Sequence, residues 1–178
     1  MKNFIKASKF CKHITDGTHD SPQYIKDGFY LITSKYIMNN KITLKDAPFI
    51  SKHDFDKINE RSKVEVDDIL FSMIGTVGEV ALVRENNNFA IKNMGLFRCK
   101  NLTDSLYLYY YFQSSLAKEY ELKLLAGSTQ QYLTLSALKE FPILCLEPQM
   151  KQHIVNTNQV YIRVLIFLTI VSLHLQPT

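Results

Sequence analysis

The stretch that most constrains this chain is a pair of apolar segments joined by a short turn, running from Val66 to Val83. Its sequence is V-D-D-I-L-F-S-M-I-G-T-V-G-E-V-A-L-V. Because consecutive apolar residues are typical of strands buried on both faces, the two halves predict a central β-hairpin. Gly75 and Gly78 allow a positive φ and a close backbone approach at the turn. The pattern is compatible with a simple core hairpin and with a rigid platform that presents a small polar tip.

The segments around this hairpin predict short strands and helices without long linkers, repeats or low-complexity regions. Ser51 is a favourable N-cap for a short helix whose inner side carries Phe55 and Ile58. In chain order we expect a strand at 28–37, a helix from 50, strands at 89–94 and 96–99 separated by Gly95, one helix from Thr103 to Gly127, a short helix at 135–141, a strand at 142–146 and a last helix from 147. These segments predict one domain followed by a terminal helix.

The last segment, Val160–Leu175, is apolar on nearly all sides. A membrane span needs about 20 apolar residues, and Arg163, Ser172 and His174 shorten this run. We therefore expect a buried helix or a helix between subunits, and a membrane-peripheral role remains an alternative.

Positive charge is concentrated in the first third of the chain. Residues 1–64 contain 12 Lys or Arg and 7 Asp or Glu, an excess of five, whereas 65–100 contain 4 and 5, and 101–178 contain 5 and 5. A basic bias of this size suits a polyanionic partner. Cys11, Cys99 and Cys145 have neither zinc-site nor disulfide-framework spacing, so we expect reduced thiols in a cytosolic protein.

A structured loop is expected at Asp16–Pro22, D-G-T-H-D-S-P. Asp-Gly favours a turn, and Asp and Ser side chains bond to nearby backbone N–H groups. The loop holds Thr18, His19 and Ser21 close together. His19 is interpreted as a hydrogen-bonding residue, because no second His or Cys lies at metal-ligand spacing.

The sequence contains none of the common catalytic motifs. The chain has no dinucleotide-binding or phosphate-binding glycine loop, no nucleophile elbow, no zinc-protease motif and no Asn/Asp-Pro-Pro-aromatic run of the kind aminomethyltransferases use. Asp104, Glu121 and Lys123 could imitate a nuclease spacing, but ion pairs or a solvated face are the better interpretation. We expect no catalytic residue, cofactor or metal, and glycines placed in loops favour recognition over catalysis.

Three stretches together resemble one family. Asp16–Pro22 is similar to the opening motif of the target recognition domains of type I restriction–modification specificity subunits. Val66–Val83 resembles the family's central hairpin, although Asp67 stands where the family usually has glycine. Gly127–Val155 resembles its closing polar loop, short helix, strand and spacer-helix start. The three occur in the family's order and at its distances, and cover about residues 5–155.

The resemblance implies an α+β fold, with a single target recognition domain over residues 1–147, a mixed and mostly antiparallel sheet, and flanking helices. Residues 148–178 would form a C-terminal spacer or dimerisation helix. It implies a non-catalytic, cytoplasmic protein that reads double-stranded DNA in the major groove while a methyltransferase (modification) subunit flips the adenine and a restriction subunit cuts. A full subunit has two such domains, so this chain looks like a half-subunit, a truncated gene product or a silent cassette, and it could form a homodimer.

Candidate DNA contacts follow from which polar side chains the expected loops and strands present. Asp16, Gly17, Gly75, Gly78 and Gly127 are expected to be structural. The expected contacts are His19, Ser21, Lys35, Asn39, Lys41, Ser72, Thr76, Lys92, Asn93, Ser128, Thr129, Gln130, Gln131 and Tyr132. Two alternatives remain: a fragment of a DNA methyltransferase or nuclease, and a membrane-peripheral or structural protein that uses the apolar tail.

Overall fold

The computed structural model describes residues 3–85, 88–126 and 132–160. The strands are β1 (Phe4–Lys6), β2 (His13–Asp16), β3 (Phe29–Ile32), β4 (Ile37–Met38), β5 (Lys41–Ile42), β6 (Phe49–Ile50), β7 (Ile69–Ser72), β8 (Val80–Leu82), β9 (Phe89–Ile91), β10 (Met94–Arg98) and β11 (Pro142–Leu144). The helices are α1 (Ala7–Phe10), α2 (Lys52–Ser62), α3 (Leu102–Phe112), α4 (Ser115–Ala126), α5 (Leu135–Glu140) and α6 (148–160), with a 3₁₀ turn at Ser34–Tyr36.

Strand pairing is mostly antiparallel and is divided, within the described ranges, among four small sheets. The largest has the order β2-β10-β7-β8, and the second has the order β6-β3-β9. β3 and β9 pair in parallel, so the pairing as a whole is mixed. β1 pairs with β11, which brings the start of the chain to the end of the domain. The predicted α+β class is confirmed.

The predicted central hairpin is β7 and β8, and its strands are buried on both faces as expected. Ile69 and Phe71 pack into a core formed with α3 and α5, whereas Leu70 packs into a second core with β3 and β9. Fully burying such a side chain stabilises the fold by about 1.5–3 kcal/mol. The hairpin therefore joins the two cores, and its turn is held in a fixed place.

The prediction of one helix over 103–127 is wrong, because the chain forms α3 and α4 with a break between them. Gln113 caps α3, its N–H donating to the carbonyl of Tyr110. The Ser114 hydroxyl donates to the Tyr111 carbonyl and accepts from the N–H of Ala117 in the first turn of α4. Serine offers the backbone this alternative to a continuous helix, so apolar periodicity alone does not detect the break.

Two strand boundaries also differ from expectation. β3 ends at Ile32 and is followed by the 3₁₀ turn, not by a strand to residue 37. Gly95 lies inside β10 and does not break it. A Cβ at Gly95 would overlap the side chain of Leu138 on α5, so the glycine permits α5 to pack closely on the sheet.

The terminal helix α6 packs against the beginning of α3. Lys151 forms an ion pair with Asp104, Gln152 accepts a hydrogen bond from Thr103, and Val155 is buried. Residues 161–178 of the apolar tail lie outside the described residues. Among the helices that are described, none combines the length and the apolar character needed to cross a membrane.

The two turn glycines predict different costs of substitution. Both have a positive φ, +81° at Gly75 and +86° at Gly78, but an added Cβ at Gly75 would make only an ordinary contact with Ser34 Oγ at 3.4 Å, whereas one at Gly78 would overlap the Glu121 carboxylate. We expect Gly75→Ala to lower the free energy of unfolding by about 1 kcal/mol through backbone strain alone. Gly78→Ala should lower it by about 3 kcal/mol. Urea unfolding of both variants measures the difference, and equal losses would contradict the close approach of Glu121.

Candidate nucleic-acid interface

Three adjoining depressions lie along one side of the domain and bring most of the described candidate residues together. Their volumes are 460, 300 and 580 Å³. His19 is shared by the first and second, and Ile74 by the second and third, so they form one continuous surface. We call this surface the recognition face. Its main residues are Thr18, His19, Ser21, Ser34, Lys35, Arg61, Ile74, Gly75, Lys92, Asn93 and Tyr132.

The loop after β2 is joined by backbone hydrogen bonds to the chain between β9 and β10. The N–H of Gly17 donates to the Met94 carbonyl at 2.9 Å, and that of Thr18 donates to the Ile91 carbonyl at 3.0 Å. The N–H of Asn93 donates back to the Thr18 carbonyl at 3.1 Å. A Cβ at residue 17 would overlap the Ile91 carbonyl, so only glycine allows this approach. The expected structural role of Gly17 therefore has a direct geometric reason.

Two side-chain hydrogen bonds also join the loop after β2 to the turn between β9 and β10. His19 Nδ1 lies 2.8 Å from Asn93 Oδ1, and His19 Nε2 lies 2.9 Å from Asp16 Oδ2. Lys92 Nζ donates to the Ser21 hydroxyl at 2.6 Å. The hydrogen bond to Asn93, followed by that to Asp16, raises the pKa of His19 above its ordinary value of 6.5. His19 thus joins the loop to the turn, and its ring nitrogens already have protein partners.

Arg61, at the end of α2, belongs to the site although it was not among the expected contacts. Its Nη2 donates to the carbonyls of Asp16 and Gly17 at 3.2 and 2.9 Å, and lies 3.3 Å from Asp16 Oδ1. The Asp16 side chain is only 7% exposed. Arg61 therefore fixes the start of the loop and partly neutralises a buried carboxylate. In the sequence it is one member of a basic region, with no local signal that distinguishes it.

The hairpin tip presents fewer side chains than expected. Ser72 is completely buried, and its hydroxyl donates to the Ile74 carbonyl at 3.1 Å, so the prediction that Ser72 contacts DNA directly is wrong. Thr76 is exposed at the tip. Ile74 is 38% exposed and forms a backbone bridge with Tyr132, which is half-buried beside it.

An ion pair on α4, between a buried carboxylate and a partly exposed lysine, supports the hairpin tip. Lys118 Nζ donates to the Gly78 carbonyl at 2.6 Å and lies 3.1 Å from Glu121 Oε2. Glu121 is 4% exposed, and its Oε1 has no hydrogen-bond partner among the described residues. Burial raises the pKa of Glu121 to about 7, and Lys118 opposes that shift only in part. The expectation of an ion pair at Glu121 is confirmed, with the carboxylate buried and the lysine partly exposed.

Asn39 and Lys41 are exposed on a different hairpin, formed by β4 and β5. Asn39 and Asn40 have φ values of +52° and +59°, as a tight two-residue turn requires. The Asn40 amide donates to Gln113, and its carbonyl accepts from Tyr109, so this hairpin lies against α3. It lines none of the three depressions. The remaining expected contacts, at residues 128–131, lie outside the described residues, as does Gly127.

The recognition face carries mixed charge. Its cationic side chains are Lys35, Lys57, Arg61 and Lys92, and acidic side chains line the same depressions at Asp20, Asp46, Asp54 and Glu60. A uniformly basic surface would bind any polyanion, whereas interspersed charges and amides favour particular hydrogen-bonding partners. Another depression, of 390 Å³, lies between α2 and the end of β8 and has Asp56, Glu60 and Glu85 in its lining.

The geometry therefore defines an α+β domain in which polar loops are fixed over hydrophobic cores. The sequence assigns it to a family: residues 5–165 match the type I restriction modification DNA specificity domain, and the chain belongs to that family. It is similar to the specificity subunit of the type I restriction enzyme EcoBI of Escherichia coli, with 39% identity over 67 residues, which are 38% of this chain and 14% of that subunit.

Solved structures show the same fold at low sequence identity. One, from work on complex assembly and conformational transition of the type I R-M system, has a TM-score of 0.65 at 17% identity and covers 93% of this chain. The HsdS subunit of Thermoanaerobacter tengcongensis has a TM-score of 0.61 at 16% identity and covers 91%. The present chain spans only 39% and 37% of those two chains.

Glu121 predicts a distinctive pH dependence of stability. Its pKa of about 7 in the folded chain lies above the ordinary value of 4.5, so the folded state holds an extra proton between these values. The stability that this proton confers is complete below about pH 4.5 and is lost as the pH rises to about 7. Glu121→Gln should remove this loss, so that the free energy of unfolding of the variant, relative to that of wild type, increases by about 3 kcal/mol across that range.

Chemical denaturation at a series of pH values measures this effect. Glu119→Gln is the matched control, because Glu119 is exposed on the same helix. Its curve should run parallel to that of wild type. If the curve of Glu121→Gln were parallel as well, Glu121 would not be a group of raised pKa.

Proposed function

We propose that this chain recognises a specific DNA sequence through the recognition face and serves as a specificity component of a type I restriction–modification system. The observation that carries the proposal is the locking of the loop 16–22 onto residues 91–94, which sets hydroxyl, imidazole, ammonium and amide groups side by side. Preorganised polar groups on a rigid support are what base-edge readout requires, since ordering a loose loop on binding would cost affinity. Membership of the DNA specificity domain family supports the same role.

The mixed charge of the face suggests how the contacts divide. Lys35 is exposed at the rim and is suited to a phosphate, whereas Asn93 and Ser21 lie where a base edge could be read. Thr76 and Tyr132 extend the same surface along the hairpin tip. Asn39 and Lys41, on the separate hairpin beside α3, would contact the backbone of a longer duplex.

The chemistry is assigned to partners and not to this chain. A modification subunit would methylate and a restriction subunit would translocate and cut, so the specificity component needs no catalytic residue or cofactor of its own. This division is supported by the structural likeness to a chain of the type I R-M system, a structure concerned with complex assembly. Since the substrate is chromosomal or invading DNA, we place the protein in the cytoplasm.

Residues 1–147 are proposed as the recognition domain, and residues 148–178 as a spacer or dimerisation helix. The chain spans under two fifths of the two solved relatives, and a homodimer would present two recognition faces on one duplex. Met150 and Val160 on α6 are 53% and 59% exposed, which leaves apolar surface for a second copy.

Light scattering after size exclusion tests the dimer. We expect a mass near twice the chain mass of 20.6 kDa, and loss of the dimer when residues 157–178 are removed. A monomer at all concentrations would refute the dimer and leave the DNA-reading role to be tested by itself.

The DNA-reading role predicts a local electrostatic effect. Lys35→Gln should weaken duplex binding similarly for all sequences and reduce the slope of log K against log salt by about 1. Lys100→Gln removes the same charge beyond the opposite end of β10, and we expect it to keep both the affinity and the slope. Fluorescence anisotropy at several salt concentrations measures both. Equal effects of the two variants would mean that binding does not use the recognition face.

A further inference from the structure

We propose that Asp16, His19 and Asn93 act as a relay that decides which type of base edge Asn93 reads. When His19 carries both ring protons, Asn93 turns its amide NH₂ towards the ligand and selects a hydrogen-bond acceptor. When His19 loses one proton, the amide turns over and selects a donor. This inference rests on the proposed DNA-reading function and assigns Asn93 as a specificity-determining residue, with His19 and Asp16 as positioning residues.

The geometry starts with the two ring nitrogens of His19. Nε2 faces the carboxylate of Asp16, and Nδ1 faces the amide oxygen of Asn93. A carboxylate and an amide oxygen are acceptors only, so a ring protonated on both nitrogens, an imidazolium, satisfies both contacts. The raised pKa of His19 is consistent with this arrangement.

The orientation of the Asn93 amide follows from that arrangement. With Oδ1 directed at His19, the two amide hydrogens point away from the ring. No described residue accepts a hydrogen bond from Nδ2, although Asn93 lines the 580 Å³ depression. The amide therefore offers a donor to whatever occupies that part of the recognition face.

The backbone of Asn93 cannot follow a movement of its side chain. Its φ is +55°, a conformation that Asn tolerates, and its N–H is bonded to the Thr18 carbonyl. Asp16 is likewise immobile, because it is buried and held by Arg61. Because the backbone of Asn93 and the side chain of Asp16 are both fixed, rotation of the Asn93 amide is the smallest movement that accommodates a change of charge on His19.

Charged groups surround the relay on both sides. Arg61 opposes protonation of His19, and Asp16 favours it. The other charged side chains lining the adjacent depressions are Asp20, Lys35, Asp46, Asp54, Lys57, Glu60 and Lys92.

Deprotonation has a defined structural consequence. The Asp16 carboxylate keeps a proton on Nε2, so Nδ1 becomes an acceptor. The amide of Asn93 must then rotate by half a turn, so that Asn93 Nδ2 donates to His19 Nδ1. Asn93 Oδ1 then faces the ligand. In the major groove, guanine O6 and N7 and thymine O4 are acceptors, whereas cytosine offers only the N4 donor and adenine offers the N6 donor beside its N7 acceptor. Preference at one base position should therefore move from guanine or thymine at low pH to adenine or cytosine at high pH.

Selection from a randomised duplex library, with the full chain at about pH 6 and about pH 8.5, tests the change of preference. We expect the relative preference between acceptor and donor bases at one position of the site to change by about tenfold between the two pH values. The preferences at the other positions should stay constant. Asn93→Asp, an acceptor at both pH values and compatible with a positive φ, should favour the donor bases throughout. His53→Gln, an exposed histidine on α2, should keep the wild-type response.

Nuclear magnetic resonance of the free protein gives an independent readout. The side-chain NH₂ signals of Asn93 should shift with the same midpoint as the His19 ring, above pH 6.5. The relay would be overturned if the Asn93 signals did not change as His19 titrates, or if the base preferences did not change with pH. Either result would leave sequence recognition intact. Failure to bind any duplex at either pH would overturn the proposed function and the readout with it.

Discussion

Burial of β7 on both faces is the constraint on which the rest of the structure depends. Because successive side chains of a strand point to opposite sides, Ile69 and Phe71 enter one core and Leu70 the other. β8 and β10 pair with both edges of β7, so its backbone groups are satisfied on each side. A strand held in this way cannot slip by one residue without exchanging its two faces. The position of the recognition face relative to the cores is fixed by this register.

Two buried carboxylates oppose that stability. Asp16 Oδ1 and Glu121 Oε1 accept no hydrogen bond within the described part of the chain, and a buried polar atom in that state is destabilising. Each lies directly under a loop of the recognition face, Asp16 below residues 17–19 and Glu121 below Gly78. Replacing such groups by apolar residues often stabilises a protein. Each carboxylate nevertheless lies beside a cation that holds backbone carbonyls in place, Arg61 at Asp16 and Gly17 and Lys118 at Gly78.

Sequence reasoning was most successful where the cause was local. The hairpin, its positive-φ glycines and the Ser51 cap of α2 each follow from a few adjacent residues. It failed at the break between α3 and α4, and at Ser72, because the apolar pattern continues through both. It also missed Arg61, since its partners Asp16 and Gly17 lie 45 and 44 residues away in the chain. Pairing over such distances exists only after the two cores have formed.

The contacts within the recognition face also restrict how its specificity can change. Ser21 and Lys92, and His19 and Asn93, are paired across segments 71 and 74 residues apart. Replacing one member alone leaves its partner without the hydrogen bond that orients it, so the cost of a single change exceeds the loss of one DNA contact. Because the backbone beneath is held by Gly17 and by carbonyl groups, paired changes can alter the presented groups without moving the loop. A new preference on this scaffold should therefore arise through coupled substitutions in the two segments, whereas the supports beneath them stay the same.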